Sequence, residues 1–189
     1  HNDARRQRQM CIRDRIHSFR QAIGSALQTM LAFQALFHQL DQVTGTRAKV
    51  LLLVEHFRSV PAADAAWCLV LLLGKRKRRL ITGRRLRTIL EQRGGIPEWL
   101  IAECHAQVGD SAETITLLWP AVSSKVEPVQ SDLPTIPEHQ PLHWWMDTLL
   151  PTVSSLKDDA EADAVLELWQ SVPENQHFVM NKLLTGCLL

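Results

Sequence analysis

The chain has 189 residues, 21 of them Lys or Arg and 20 Asp or Glu, so it is nearly neutral, and 46% of it is hydrophobic. That length supports one domain or two small ones with a real core, and no apolar run nears the roughly 20 residues that span a bilayer. The four cysteines, Cys11, Cys68, Cys104 and Cys187, form no C-x-x-C pair; they point to neither a zinc site nor a disulfide framework, and reduced thiols are the default.

Residues 1–29 differ from the rest: HNDARRQRQMCIRDR has few apolar residues and no helical period. Its arginines suit a transit peptide, but Asp3 and Asp14 do not. RQRQMCIRDR resembles a translated sequencing adapter. The segment is read as a non-native or disordered extension and left out of the fold reasoning, with Met30 the expected start. A basic arm for nucleic acid is the alternative.

From Leu31 onward the pattern is helical. Leu31, Phe33, Leu36, Phe37 and Leu40 share one face. Thr44-Gly45-Thr46 breaks that helix and caps a second, whose apolar face is Val50, Leu51, Val54 and Phe57. Pro61 opens a third helix with Asp64 in its first turn. From Ala65 to Leu73 it is apolar nearly all round, so it is expected to be buried, with Cys68 in the core. Gly74 ends it. Residues 74–87, GKRKRRLITGRRLR, then hold eight basic residues and no acidic one, leaving 13 basic against 20 acidic elsewhere. Like charges in a block repel, so this run either sits in solvent or meets an anion, commonly phosphate.

A helix through Leu86, Ile89 and Leu90 follows and stops at Gly94-Gly95. Pro97 begins another, with Trp99, Leu100 and Ile101. Gly109-Asp110-Ser111 ends it and caps the next, which carries Ile115, Leu117, Leu118 and Trp119, with Glu113 as a capping-box partner. Residues 120–141 hold five of the nine prolines. They are read as a linker that divides the helices into groups 30–119 and 142–189. Helices resume at Leu142 to Leu150, Asp158 to Trp169 and Pro173 to Leu184. No stretch alternates with period two, so the fold is predicted to be all-α. Trp67, Trp99, Trp119 and Trp169 are assigned to the core; one of Trp144 and Trp145 is expected at the surface.

Enzyme signatures are missing: no phosphate-binding G-x-x-x-x-G-K-[ST] loop, no G-x-G-x-x-G, no H-E-x-x-H and no G-x-S-x-G. The eight histidines make no metal-ligand spacing, and His38 and His56 read as partly buried core residues. Asp158, Asp159 and Glu161 read as an acidic helix start that suits the helix dipole. An acid/base pair there is the alternative.

Three stretches together carry a resemblance: TGTRAKVLLL (44–53), VGDSAETITLL (108–118) and NKLLTG (181–186). With the basic run they resemble, in this order, the N-terminal region of ATP-dependent DNA ligases of the bacterial kind, over roughly Leu31 to Gly186. The resemblance implies a helical DNA-binding domain that grips nicked duplex through phosphates and the minor groove for nick sealing in repair, replication and recombination. In the full-length ligase, domains using ATP and Mg2+ do the chemistry. The ligase K-x-D-G motif follows none of Lys49, Lys75, Lys77, Lys125, Lys157 or Lys182. The chain is therefore expected to be a truncated ligase that needs no cofactor, binds DNA and does not ligate alone. It is expected to be monomeric and cytoplasmic, associated with the bacterial nucleoid, without a membrane partner. Cys187-Leu188-Leu189 departs from the family's usual continuation.

A nick offers no base sequence to read, so backbone contacts should dominate. The expected DNA-binding residues are Thr46, Arg47, Lys49, Lys75, Arg76, Lys77, Arg78, Arg79, Arg84, Arg85, Gly109, Ser111, Asn181, Lys182 and Thr185. Thr46, Arg47 and Lys49 lie at a helix start, where free N–H groups favour an anion; Thr44 and Thr46 also read as plain N-caps. Arg84, Arg85 and Arg87 open a helix, where cations suit the dipole poorly unless an outside phosphate offsets them. Gly109 and Ser111 belong to a cap that doubles as a contact. Asn181 and Thr185 either reach the minor-groove side or satisfy backbone groups at the helix end. Two rival readings remain: a helical protein–protein adaptor with a basic docking loop, and a peripheral binder of anionic lipid. The second needs Leu80, Ile81, Leu86 and Ile89 to be exposed.

Overall fold

The computed structural model describes residues 30–74, 80–134 and 141–186. The described residues are all-α, with no strand among them. Residues 1–29, Lys75 to Arg79 and Cys187 to Leu189 lie outside them. The helices are α1 (Met30–Gln42), α2 (Thr46–Ser59), α3 (Ala62–Leu72), α4 (Gly83–Gly94), α5 (Glu98–Val108), α6 (Ser111–Leu118), α7 (Leu142–Trp144), α8 (Leu150–Ser155), α9 (Asp158–Ser171) and α10 (His177–Thr185). No described helix is long and apolar enough to cross a membrane.

The chain divides into two compact units. The described part of the first runs from Met30 to Ala66 and includes Pro141 and Leu142; the second runs from Trp67 to Pro134 and from His143 onward. This is not the division that the proline content suggests. The Pro-rich segment is packed inside the second unit, where Gln170 of α9 bonds it twice: Val129 N–H donates to Gln170 Oε1 (3.0 Å) and Gln170 Nε2 donates to the Glu127 carbonyl (2.8 Å). The Ser131 amide and hydroxyl both donate to Glu167 Oε2. Prolines lower the α-helical tendency of 120–134, which holds only the short 3-10 turns Trp119–Ala121 and Ser123–Lys125, and these polar bonds hold the rest in place.

In the first unit α1 packs on α2 through an interior of Met30, Ala32, Phe33 and Leu36. Leu31, Phe37 and Leu40 are half-buried. Gly45, in extended backbone, is the N-cap of α2 and makes no side-chain cap bond, so neither Thr44 nor Thr46 caps the helix. α2 departs most from expectation. Its buried residue is His56, while Val50, Leu51 and Val54 are 50%, 44% and 38% exposed. His56 is nevertheless a core histidine, as expected; His38 is exposed. Burial lowers the His56 pKa to about 4, against the smaller opposing pull of Asp64.

The second unit is built round α6, which packs on α4, α5 and α10. Its core holds Leu86, Ile89, Leu90, Ala112, Ile115, Leu183 and Leu184. Trp119 and Trp169 pack with their rings tilted by 48° at 5.3 Å between centroids, and Trp169 Nε1 donates to Asn181 Oδ1 at 2.9 Å. Cys68 is buried and its thiol is pushed up to about 12 by desolvation. α3 is less enclosed than its composition suggests, with Leu69 and Leu73 exposed. Trp67 is half-buried and its indole N–H donates to Asp147 Oδ2 (3.0 Å). Trp99 is no core residue: it points outward at 68% exposure. Trp145 is buried and Trp144 half-buried.

Between α7 and α8, Trp145–Leu149 winds as a π-turn in which the Leu150 amide reaches back to the Trp145 carbonyl. Pro151, which has no N–H and crowds the carbonyl four residues earlier, follows directly. The wider turn absorbs that conflict and lets the chain run helically from Leu142 to Ser155.

Candidate nucleic-acid interface

Three separated stretches of sequence meet in the second unit. The Ile81 amide donates to the Leu184 carbonyl (3.2 Å), which joins the approach to α4 to the end of α10. Thr82 then caps α4, its Oγ1 accepting from the Arg85 amide (3.1 Å). Gly83 brings the first turn of α4 against the first turn of α6: a Cβ here would lie 2.5 Å from Ser111 Oγ and 2.8 Å from Ser111 Cβ. Only glycine allows that approach with Ser111 in place. Arg87 completes the junction by donating to Ser111 Oγ.

α6 is capped as expected, by Asp110, whose Oδ1 accepts from the Glu113 amide (2.9 Å). Its Oδ2 accepts from Lys182 Nζ (2.9 Å). Burial works to raise the Asp110 pKa, but the Glu113 amide and the Lys182 ammonium outweigh it, and the carboxyl stays below its ordinary range. The α6 N-terminus therefore already carries an anion of its own.

The predicted contact residues fall into two sets. Several are committed inside the protein. Asn181 is buried, accepting from Trp169 and donating to Thr116 Oγ1. Thr185 is buried and its hydroxyl bonds the Asn181 and Lys182 carbonyls. Thr185 does what the plainer reading assigned it, bonding backbone carbonyls at the end of α10, whereas Asn181 bonds side chains of α9 and α6, and neither faces solvent. Lys182 is spent on Asp110 and lies over the Phe178 ring at 5.5 Å. The Gly109 amide donates to the His105 carbonyl (2.8 Å), closing α5 with φ +78°, so it is not open to a phosphate. Ser111 is half-buried against Arg87. Arg85 bonds Glu161 Oε2 (2.8 Å) and the Asp158 carbonyl (2.7 Å). Asp158 itself sits at φ +54°, a conformation that Asp tolerates, and Arg85 clamps its carbonyl.

The second set faces solvent. Arg84 is exposed and has no side-chain partner among the described residues. No acidic residue occupies the first turn of α4. Burial, and to a smaller extent the Arg84 charge, lower the pKa of nearby Arg87. In the first unit Thr46, Arg47 and Lys49 are exposed in the first turn of α2, which lacks a side-chain cap and acidic residues. Lys75, Arg76, Lys77, Arg78 and Arg79 lie outside the described residues.

Thr82, Gly83 and Arg87 belong to the junction but are absent from the contact residues expected from sequence. A Thr-Gly pair before a helix signals a cap, but the approach of Gly83 to Ser111, 28 positions away, has no local signature.

Other chemistry is not built here. The acidic start of α9 is ion-paired: Glu161 to Arg85, and Asp159 and Asp163 to Arg93 (3.0 and 3.1 Å). No three His, Cys, Asp or Glu residues among those described group as a metal site. Ile81, Leu86 and Ile89 are buried, so they offer no apolar face to lipid beside the basic run.

Residues 29–188 match the family model for the DNA ligase N terminus. No curated protein and no solved structure matches the chain.

Proposed function

The chain belongs to the DNA ligase N-terminal family, and on that premise we propose that it grips nicked double-stranded DNA for an ATP-dependent ligase that seals nicks in repair and replication. In the second unit the grip comes from Arg84 and the Gly83 and Arg84 amides at the start of α4, together with the basic run Lys75 to Arg79. In the first unit it comes from Thr46 and Lys49 at the start of α2. Arg47 lies roughly 160° round α2 from Lys49, at about 100° per residue, and faces elsewhere. The observation that carries this reading is Arg84: it projects from a helix N-terminus without a protein partner among the described residues, while Arg85, Arg87 and Lys182 are bound into the frame that holds it. A cation there opposes the helix dipole, and a phosphate would relieve it.

The test is binding of the full chain to a nicked and an intact fluorescent duplex across a salt series. The expected result is binding whose log K falls with log salt, at a slope of roughly 4 to 7, corresponding to about four to eight phosphates. No binding at low salt by a folded chain would remove this reading and leave the protein–protein adaptor.

A further inference from the structure

We infer that the outward face of α2 is a docking surface for an acidic, amphipathic helix of a protein partner. The face is inverted for a helix of a globular unit. Val50, Leu51 and Val54 are exposed, and at about 100° per residue they form one stripe. Arg47 and Arg58 fall on the same stripe at its two ends, about 16 Å apart along the axis at ~1.5 Å per residue. Both are exposed and have no partner among the described residues. The result is an apolar centre bracketed by two cations.

That pattern selects its occupant. A duplex backbone would set phosphates against three aliphatic side chains, leaving the centre without a match. A second copy of α2 would bring arginine against arginine, whether it packed parallel or antiparallel. A helix with apolar residues at i, i+3, i+4 and i+7 and carboxylates beyond both ends matches the apolar stripe and both charges. Arg47, in the first turn of α2, also gains most from an anion, because its own helix dipole opposes it.

The experiment uses the full chain and a designed helical peptide of about 18 residues with a leucine stripe flanked by glutamates, and its lysine-flanked counterpart. The glutamate peptide should bind saturably and shift amide NMR signals of α2, and the lysine peptide should not. Leu51→Ser with Val54→Ser should weaken binding by about tenfold or more, while leaving binding of nicked duplex unchanged. Arg47→Glu with Arg58→Glu should transfer the preference to the lysine peptide. Equal binding of both peptides, no saturable binding to the folded chain, or indifference to the serine substitutions would overturn the inference. So would a loss of DNA binding in the serine variant, which would assign the face to duplex. Self-association of the free chain that the serine variant abolishes would assign it to a second copy, with the same result.

Discussion

Gly83 fixes the approach of two helix starts with a single missing carbon. Gly83→Ala should push Ser111 aside and destabilise the second unit by about 1–3 kcal/mol. Adding Ser111→Gly should recover part of that loss, because both close atoms belong to the Ser111 side chain; thermal melts of the single and double variants check this. At His56 the consequence is pH dependence. Its folded pKa, about 4, lies below the ordinary 6.5. The unfolded chain therefore binds the extra proton first as pH falls. Stability is full above 6.5 and declines from there towards 4. Histidine NMR titration should place His56 near 4, and stability measured from neutral pH down towards that value should fall less steeply in His56→Gln than in the parent. His177, also buried and lowered, contributes in the same direction and remains in both proteins.

Among the elements, α4 and α9 are tied by Arg85–Glu161 and by Arg93 with Asp159 and Asp163. Both arginines are engaged in ion pairs with α9. Glu161→Ala should lower stability by about 1 kcal/mol, since the pair is only partly shielded from water, and should leave duplex affinity undiminished. A loss of DNA binding of about tenfold in that variant would instead make Arg85 a DNA ligand. The existence of the helices is legible in the sequence because caps and apolar spacing act locally: Gly95, Gly109 and Gly186 all end helices in left-handed backbone, where glycine is favoured. Their exposure is not legible. Val50, Leu51, Leu69 and Trp99 have core-like chemistry, but burial depends on what packs against a face, and periodicity only locates the face.

Across the whole molecule, charge outside the fold frame should govern DNA affinity. Replacing Lys75 to Arg79 with serine, or Arg84 with alanine, should flatten the salt dependence, by roughly 0.9 in slope for each phosphate no longer neutralised. Replacing the internally paired Lys182 should instead affect stability. The candidate site is half legible on the same grounds. A clustered basic run is visible in one dimension, and so is a helix-start arginine. Whether Arg85 or Lys182 is spent on Glu161 or Asp110, 76 and 72 positions away, is decided only by packing. Likewise Asn181 in NKLLTG reads equally well as DNA ligand or scaffold in one dimension, and only the fold shows it buried and accepting from Trp169.

All six tryptophans, from Trp67 to Trp169, fall in the second unit, and the chain has no tyrosine. The protein is therefore spectroscopically lopsided. Indole emission follows the second unit, where Trp119 and Trp169 pack against each other, and is silent about the first. Far-ultraviolet ellipticity follows both. Wherever the two melting curves part, the difference between them traces the unit that carries α1, α2 and His56.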